Sequence, residues 1–251
     1  MKGNLIMTTT AVALVTGANK GLGKEVVRQL ARLGVTVLLG SRNVARGEEA
    51  ARELLAEGLP VSYVELDVTN EASASFVAER IRREHGRLDI LINNAGIYMA
   101  RPALEVTAKE MRQTFETNVF GAVTMIHSMV PLLRDAPAAR IVNIASTTAS
   151  HALTSDPKTM FGLENSILPY ASSKSAVTML TLQYANAMRR DPALAQIKVN
   201  AATPGYIATD LNNHSGNRTV EQGAKIVIKL ATLPDDGPSG GFFNDDGPVP
   251  W

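Results

Sequence analysis

The 251-residue sequence contains no cysteine, which excludes disulfides, thiolate nucleophiles and cysteine-ligated metals together. It also lacks a membrane-length apolar run: the longest, 11–15 and 35–39, are strand length, against the roughly 20 residues that a span requires. There is no excess of one charge, since 25 Lys and Arg face 24 Asp and Glu for a net +1, and both signs are dispersed. No basic footprint for nucleic acid or an anionic membrane exists. The four histidines, His85, His127, His151 and His214, are scattered without metal-ligand spacing. His127, between Met125 and Met129, reads as packing. Residues 1–9 read as a flexible tail, too short in apolar residues for a signal peptide, with Met7 an alternative start. What remains is small-molecule chemistry in a soluble protein compatible with a reducing cytoplasm, either a monomer or a homodimer.

What the sequence does have is a rhythm. Short apolar runs at 11–15, 35–39, 61–66, 88–92, 140–144 and 198–201, with a weaker one at 240–243, alternate with helically spaced stretches at 21–33, 44–57, 71–84, 107–133, 169–189 and 219–231. No linker divides them. That alternation predicts one α/β domain spanning 10–251, a doubly wound Rossmann fold whose mostly parallel seven-stranded sheet carries helices on both faces. The Gly- and Pro-rich stretch from Pro234 reads as irregular surface structure. Ligands in such a fold bind beyond the carboxyl ends of the strands.

The first of those ends carries Thr16-Gly17-Ala18-Asn19-Lys20-Gly21-Leu22-Gly23, directly followed by a helical stretch. Glycines at 17, 21 and 23 allow a tight turn and close approach of a pyrophosphate to helix N-terminal amides, and Asn19 and Leu22 belong to the same loop. At the second strand's end, where an NAD site carries a carboxylate, stands Gly40-Ser41-Arg42-Asn43. Arg42 suits a ribose 2′-phosphate that a carboxylate would repel, and Lys20 supplies a second positive group, so NADP(H) is the expected cofactor.

Tyr170 and Lys174, four apart in a helix, project from one face. Carbonyl reduction needs a hydride on carbon and a proton on the developing alkoxide. An ammonium about 5 Å away is expected to lower the phenol by about two pKa units, towards neutrality. Ser146, just past the fifth strand, is placed to hydrogen-bond a substrate oxygen.

Together these residues resemble the short-chain dehydrogenase/reductase family in its compact branch. TGANKGLG, Asp67-Val68, Asn93-Asn94-Ala95-Gly96, Asn118, Ser146, Tyr170 with Lys174, and Pro204-Gly205 occur in the family's order over nearly the whole chain. The resemblance implies that Tyr170 is the general acid, that Lys174 also holds the nicotinamide ribose, that Ser146 orients the carbonyl and that Asn118 supports a water-mediated proton relay. It also places Asp67 and Val68 by adenine, Asn94, Ala95 and Gly96 along the cofactor trough, and Pro204, Gly205, Tyr206, Ile207 and Thr209 over the nicotinamide. Read alone, Asp67 is equally a helix-capping turn residue and Asn94-Ala95-Gly96 an ordinary turn.

Two departures stand out. Ala145 replaces a commoner second serine, and the Ser146-to-Tyr170 interval is long. The inserted segment 151–168 contains Phe161, Leu163, Ile167 and Leu168, apolar enough to wall a pocket, and Phe161, Leu163 and Tyr206 are the candidate substrate contacts. A similar insertion occurs in the carbonyl reductase subgroup, where it can cover the face that others use to dimerise. The expected activity is NADPH-dependent reduction of a ketone or aldehyde. The alternatives are an alcohol dehydrogenase running in the oxidative direction and a non-catalytic dinucleotide-binding regulator.

Overall fold

The sheet grows outward from its centre in the computed structural model, which describes residues 10–251; the expected tail and the question of Met7 lie outside the described residues. Strands β1 (Val12–Val15), β2 (Thr36–Ser41) and β3 (Val61–Glu65) are linked by helices α1 (Gly21–Arg32) and α2 (Val44–Ala56). The chain then crosses through α3 (Glu71–His85) to β4 (Ile90–Asn93) on the other side of β1. Helices α4 (Ala108–Phe115) and α5 (Gly121–Arg134), joined by a π-helical turn at Glu116–Phe120, lead to β5 (Arg140–Ile144). A one-turn α6 (His151–Thr154) and the long α7 (Leu168–Arg190) precede β6 (Lys198–Ala202). Helix α8 (Val220–Ala231) and the short strands β7 (Phe242–Asn244) and β8 (Gly247–Pro248) finish the chain.

The strand order β3-β2-β1-β4-β5-β6-β7-β8 is parallel except for the last pair, so the single-domain Rossmann-like architecture holds with one two-residue strand more than expected. Alternation along β1 explains the two-layered cover: Ala13 and Val15 enter the core with Val26, Leu30 and Val227, whereas Val12 and Leu14 enter the opposite core with Val77, Met125 and Met129. A parallel strand buried on both faces needs such an unbroken apolar run. The reversal of order between β1 and β4 opens a crevice at their carboxyl ends.

Three expectations change. The helical stretch at 107–133 is two helices, because the π-helical turn intervenes around the buried Asn118. The stretch after Pro234 is not irregular surface: Phe242 and Val249 are buried, β7 extends the sheet, and Trp251 packs on Phe242 with ring centroids 5.9 Å apart. His127 is exposed, while Met125 and Met129 on either side of it are fully buried. No helix among the described residues is long and apolar enough to cross a membrane.

Candidate active site

Helix α7 opens with Pro169, whose fixed backbone suits a first turn, and so presents Tyr170 and Lys174 towards the end of β5. Lys174 is buried and its Nζ donates to the Ile144 carbonyl at 2.7 Å; it also lies 5.7 Å from the centre of the Tyr170 ring. The Ser146 hydroxyl faces the Tyr170 phenol and favours its charged form. That hydroxyl in turn accepts from Thr148, from its backbone N–H at 3.3 Å and its Oγ1 at 2.9 Å.

Asn118 ties three segments together. Its Oδ1 accepts from the Ile97 N–H at 2.8 Å, and its Nδ2 donates to the Ile97 carbonyl and to Ser173 Oγ, both at 3.0 Å. Ser173 Oγ donates onward to the Tyr170 carbonyl at 2.7 Å. The side chain of Asn118 is therefore consumed in fixing the chain after β4 against α7. A small hollow beneath is lined by Asn93, Asn118, Asn143 and Lys174. Gly96 leaves that space open, since a Cβ there would meet Asn118 Oδ1 at 3.3 Å and Lys174 Nζ at 3.6 Å.

Burial decides the protonation states. It pushes the Tyr170 phenol up to about 12, against the pull of the Ser146 hydroxyl and with a smaller push from Tyr98. It also draws the Lys174 ammonium down to about 8. The expected acidification of Tyr170 by Lys174 is thus overturned: desolvation penalises both charged forms, and the ammonium is committed to a backbone carbonyl.

The glycine loop wraps the start of α1. Gly17 and Gly21 adopt positive φ, +61° and +54°, and a Cβ on Gly17 would strike Ala95 Cα at 2.8 Å. Gly23 leaves no room beside Asn94, whose Nδ2 donates to the Thr16 carbonyl at 2.8 Å and the Gly17 carbonyl at 3.1 Å. Asn94 and Ala95 thus hold the loop, and Leu22 is anchored in the core. Helix α1 has no side-chain cap and no acidic residue in its first turn, leaving its N-terminal amides open to an anion. These features fit a dinucleotide pyrophosphate.

Beside the loop, an open cleft of about 340 Å³ is lined by Asn19, Lys20, Lys24, Arg46 and Asp210 among others. Lys20 pairs with Asp210 at 2.7 Å and Lys24 with Glu53. Neither Arg42 nor Arg46 has an ion pair among the described residues, and both are exposed. Asp67 Oδ1 accepts from the Thr69 N–H at 3.0 Å and Thr69 Oγ1 at 2.8 Å, the turn that leads to the Asn70 cap of α3. Val68 is buried against Gly121.

Past β6, Pro204 and Ile207 are buried, and Gly205, at φ +76°, lies against Arg218. A bridge between Ile207 and Arg218 closes a loop, and Thr209 touches the glycine loop at Gly21, where a Cβ would meet Thr209 Cγ2 at 3.4 Å. Tyr206, half exposed, bonds Ser215. In the inserted segment, Phe161 is partly buried and Leu163 is 73% exposed. The Arg101 and Ala103 N–H groups donate to the Ser166 and Asn165 carbonyls at 2.6 and 2.8 Å, tying the insertion to the segment after β4.

A model of the short chain dehydrogenase family matches residues 11–219. The chain belongs to that family. This short chain dehydrogenase is 35% identical to (-)-isopiperitenone reductase of Mentha piperita, over 93% of the chain and 96% of that relative. It is 32% identical to carbonyl reductase (NADPH) 1 of Sus scrofa, over 97% and 95%. Among solved structures, NADPH-bound carbonyl reductase from chicken fatty liver superposes with a TM-score of 0.84 at 28% identity, covering 96% of the chain and 99% of that structure. Salutaridine reductase from Papaver somniferum gives 0.80 at 27%, covering 94% and 99%.

Sequence reasoning on the dehydrogenase missed Arg46 and Tyr98. Arg46, in the first turn of α2 after the Asn43 cap, could have been found from its place at the start of the helix that follows Arg42. Tyr98 meets Tyr170 edge-on with ring centroids 5.1 Å apart, and no spacing rule relates residues on separate elements.

Proposed function

We propose that this enzyme reduces the carbonyl of a ketone or aldehyde with NADPH, with Tyr170 as the proton donor. The observation that carries the reading is that the Tyr170 phenol and the Ser146 hydroxyl, the latter just past the end of β5, interact with one another. Two hydroxyls meeting at one point can both donate to a carbonyl oxygen, and their donation strengthens as that oxygen gains charge. NADPH bound in the cradle would supply the hydride. Asn19, Gly17, Gly21 and the amides of α1 would hold its pyrophosphate, and Arg42 and Arg46 its 2′-phosphate; Asp67 and Val68 would serve the adenine, and Ile207 and Thr209 the nicotinamide.

At neutral pH the phenol, pushed up to about 12 by burial, holds the proton that carbonyl reduction consumes. Lys174, still mostly charged at neutral pH, lies 5.7 Å from the centre of the Tyr170 ring and would hold the nicotinamide ribose. Asn118 positions these groups by fixing Ile97 and Ser173. The names of the relatives, (-)-isopiperitenone reductase and carbonyl reductase (NADPH) 1, support the same chemistry.

The test is the loss of NADPH absorbance across a panel of aryl ketones, keto esters, diketones and quinones. Tyr170→Phe is expected to lower turnover by roughly a hundredfold or more with NADPH affinity retained. Near-wild-type turnover in that variant overturns the mechanism.

A further inference from the structure

We infer that Tyr98 is a specificity-determining residue of this site: its ring forms an aromatic wall beside the proton donor that selects planar, conjugated carbonyl substrates over flexible alkyl ones. The inference rests on the carbonyl reductase reading above and adds the class of substrate.

Its placement is fixed by the backbone. Ile97, immediately before it, has both its N–H and its carbonyl bound by the Asn118 amide. Three residues after it, Arg101 is joined to the inserted segment through the Ser166 carbonyl. Tyr98 is therefore held between two anchored points, and its ring has little freedom to swing away. That ring meets Tyr170 at 5.1 Å with an interplanar angle of 70°, an edge-to-face contact of the favourable kind.

Its surroundings point to the mouth of the site. Tyr98 remains 38% exposed although it touches the catalytic phenol. Burial of its other side raises its phenol, with contributions from Glu164 on the inserted segment and Tyr206 on the loop after β6. Tyr98 thus lies where the inserted segment and the loop after β6 approach it, with Tyr170 against its ring. A carbonyl carbon within reach of Tyr170 and Ser146 carries its substituents past this ring. A flat aryl or enone substituent can stack on it or meet its edge, gaining dispersion and quadrupole attraction that an alkyl chain matches poorly and at a greater entropic cost.

The experiment uses the full chain with NADPH and compares acetophenone with an alkyl methyl ketone of equal carbon count. The quantity read is the ratio of the two kcat/KM values. In Tyr98→Ala the ratio is expected to fall about three- to tenfold, the range of an aromatic pair, carried by a higher KM for acetophenone. Tyr98→Phe keeps the ratio within about twofold of wild type, because the ring and not the hydroxyl makes the contact. Tyr98→Leu, close in bulk but without a ring, follows Ala. An unchanged ratio in Ala, or rescue by Leu equal to that by Phe, overturns the assignment. If the Ala variant fails to fold, the Phe and Leu comparison decides. A wild type that oxidises NADPH with no carbonyl overturns the underlying reading and this inference with it, whereas activity with an unmoved ratio overturns the role of Tyr98 alone.

Discussion

Lys174 loses affinity for its proton on folding, from 10.5 to about 8, because burial removes water from its ammonium. Between about 8 and 10.5 the unfolded chain carries a proton that the folded chain has released, so stability rises with pH across that window. Below 8 the full penalty stands, roughly 3 kcal/mol for a shift of this size. Tyr170 acts in the opposite sense: the folded chain keeps its proton between 10 and about 12, and stability falls there. Lys174→Met removes the first effect. Any stability advantage of the variant over wild type is expected to shrink by up to roughly 3 kcal/mol between pH 8 and 10.5, read from denaturant midpoints at several pH values. In wild type the same deprotonation lowers reductase turnover above about pH 8 while Tyr170 is still protonated. At the cofactor end, Arg42→Glu and Arg46→Glu are each expected to weaken NADPH binding roughly tenfold or more, with NADH changed far less; fluorescence titration of both coenzymes checks this. That Tyr170, Lys174 and Ser146 come together was legible in the sequence, because Ser146 follows a strand end and the other two keep a helical spacing. The raised phenol was not, since a charge separation can be counted along a helix but desolvation depends on what the rest of the chain packs around it. For the same reason the pairing of Lys20 with Asp210, a residue 190 positions away, was not legible either.

The loop between Ile207 and Arg218 is an element secured unevenly. Its base is pinned by backbone hydrogen bonds, Ala208 N–H to the Arg218 carbonyl at 2.9 Å and Arg218 N–H to the Tyr206 carbonyl at 3.1 Å, and by the pairing of Arg218 with Asp245. Its tip is held to the glycine loop by the pairing of Asp210 with Lys20, assisted by His214 at 2.7 Å from the same carboxylate. Both charges are half exposed, so solvent screens the pair and it contributes little. Asp210→Asn is therefore expected to speed NADPH release by no more than about fivefold, and high salt should move wild type towards the variant. Stopped-flow displacement of NADPH measures both. Helix and strand placement was readable from apolar periodicity. The break at Glu116–Phe120 was not, because an apolar stripe continues through a π-helical turn, and only the tertiary demand of Ile97 and Ser173 on Asn118 marks the position. The weak run at 240–243 anticipated β7, whereas β8 escaped because it is two residues long, below the length at which alternation becomes visible.

Across the molecule, the two cores and the crevice between β1 and β4 follow from strand order, and the strand order follows from alternating runs that sequence shows plainly. The site is assembled from the ends of β1, β2, β4, β5 and β6, so its chemistry depends on the register of the whole sheet. The least visible support for that register is the π-helical turn. Five residues between α4 and α5 bond i to i+5, which houses one residue beyond a regular helical turn. A single-codon deletion there would give a smoother and intrinsically better helix, yet each residue of α5 would then be rotated by about 100° relative to α4. Met125 and Met129 would leave the core, or Asn118 would leave Ile97 and Ser173. The gene can therefore shed length in its surface loops far more freely than at this one position, where the apparent irregularity is what lets a buried amide and a packed helix coexist.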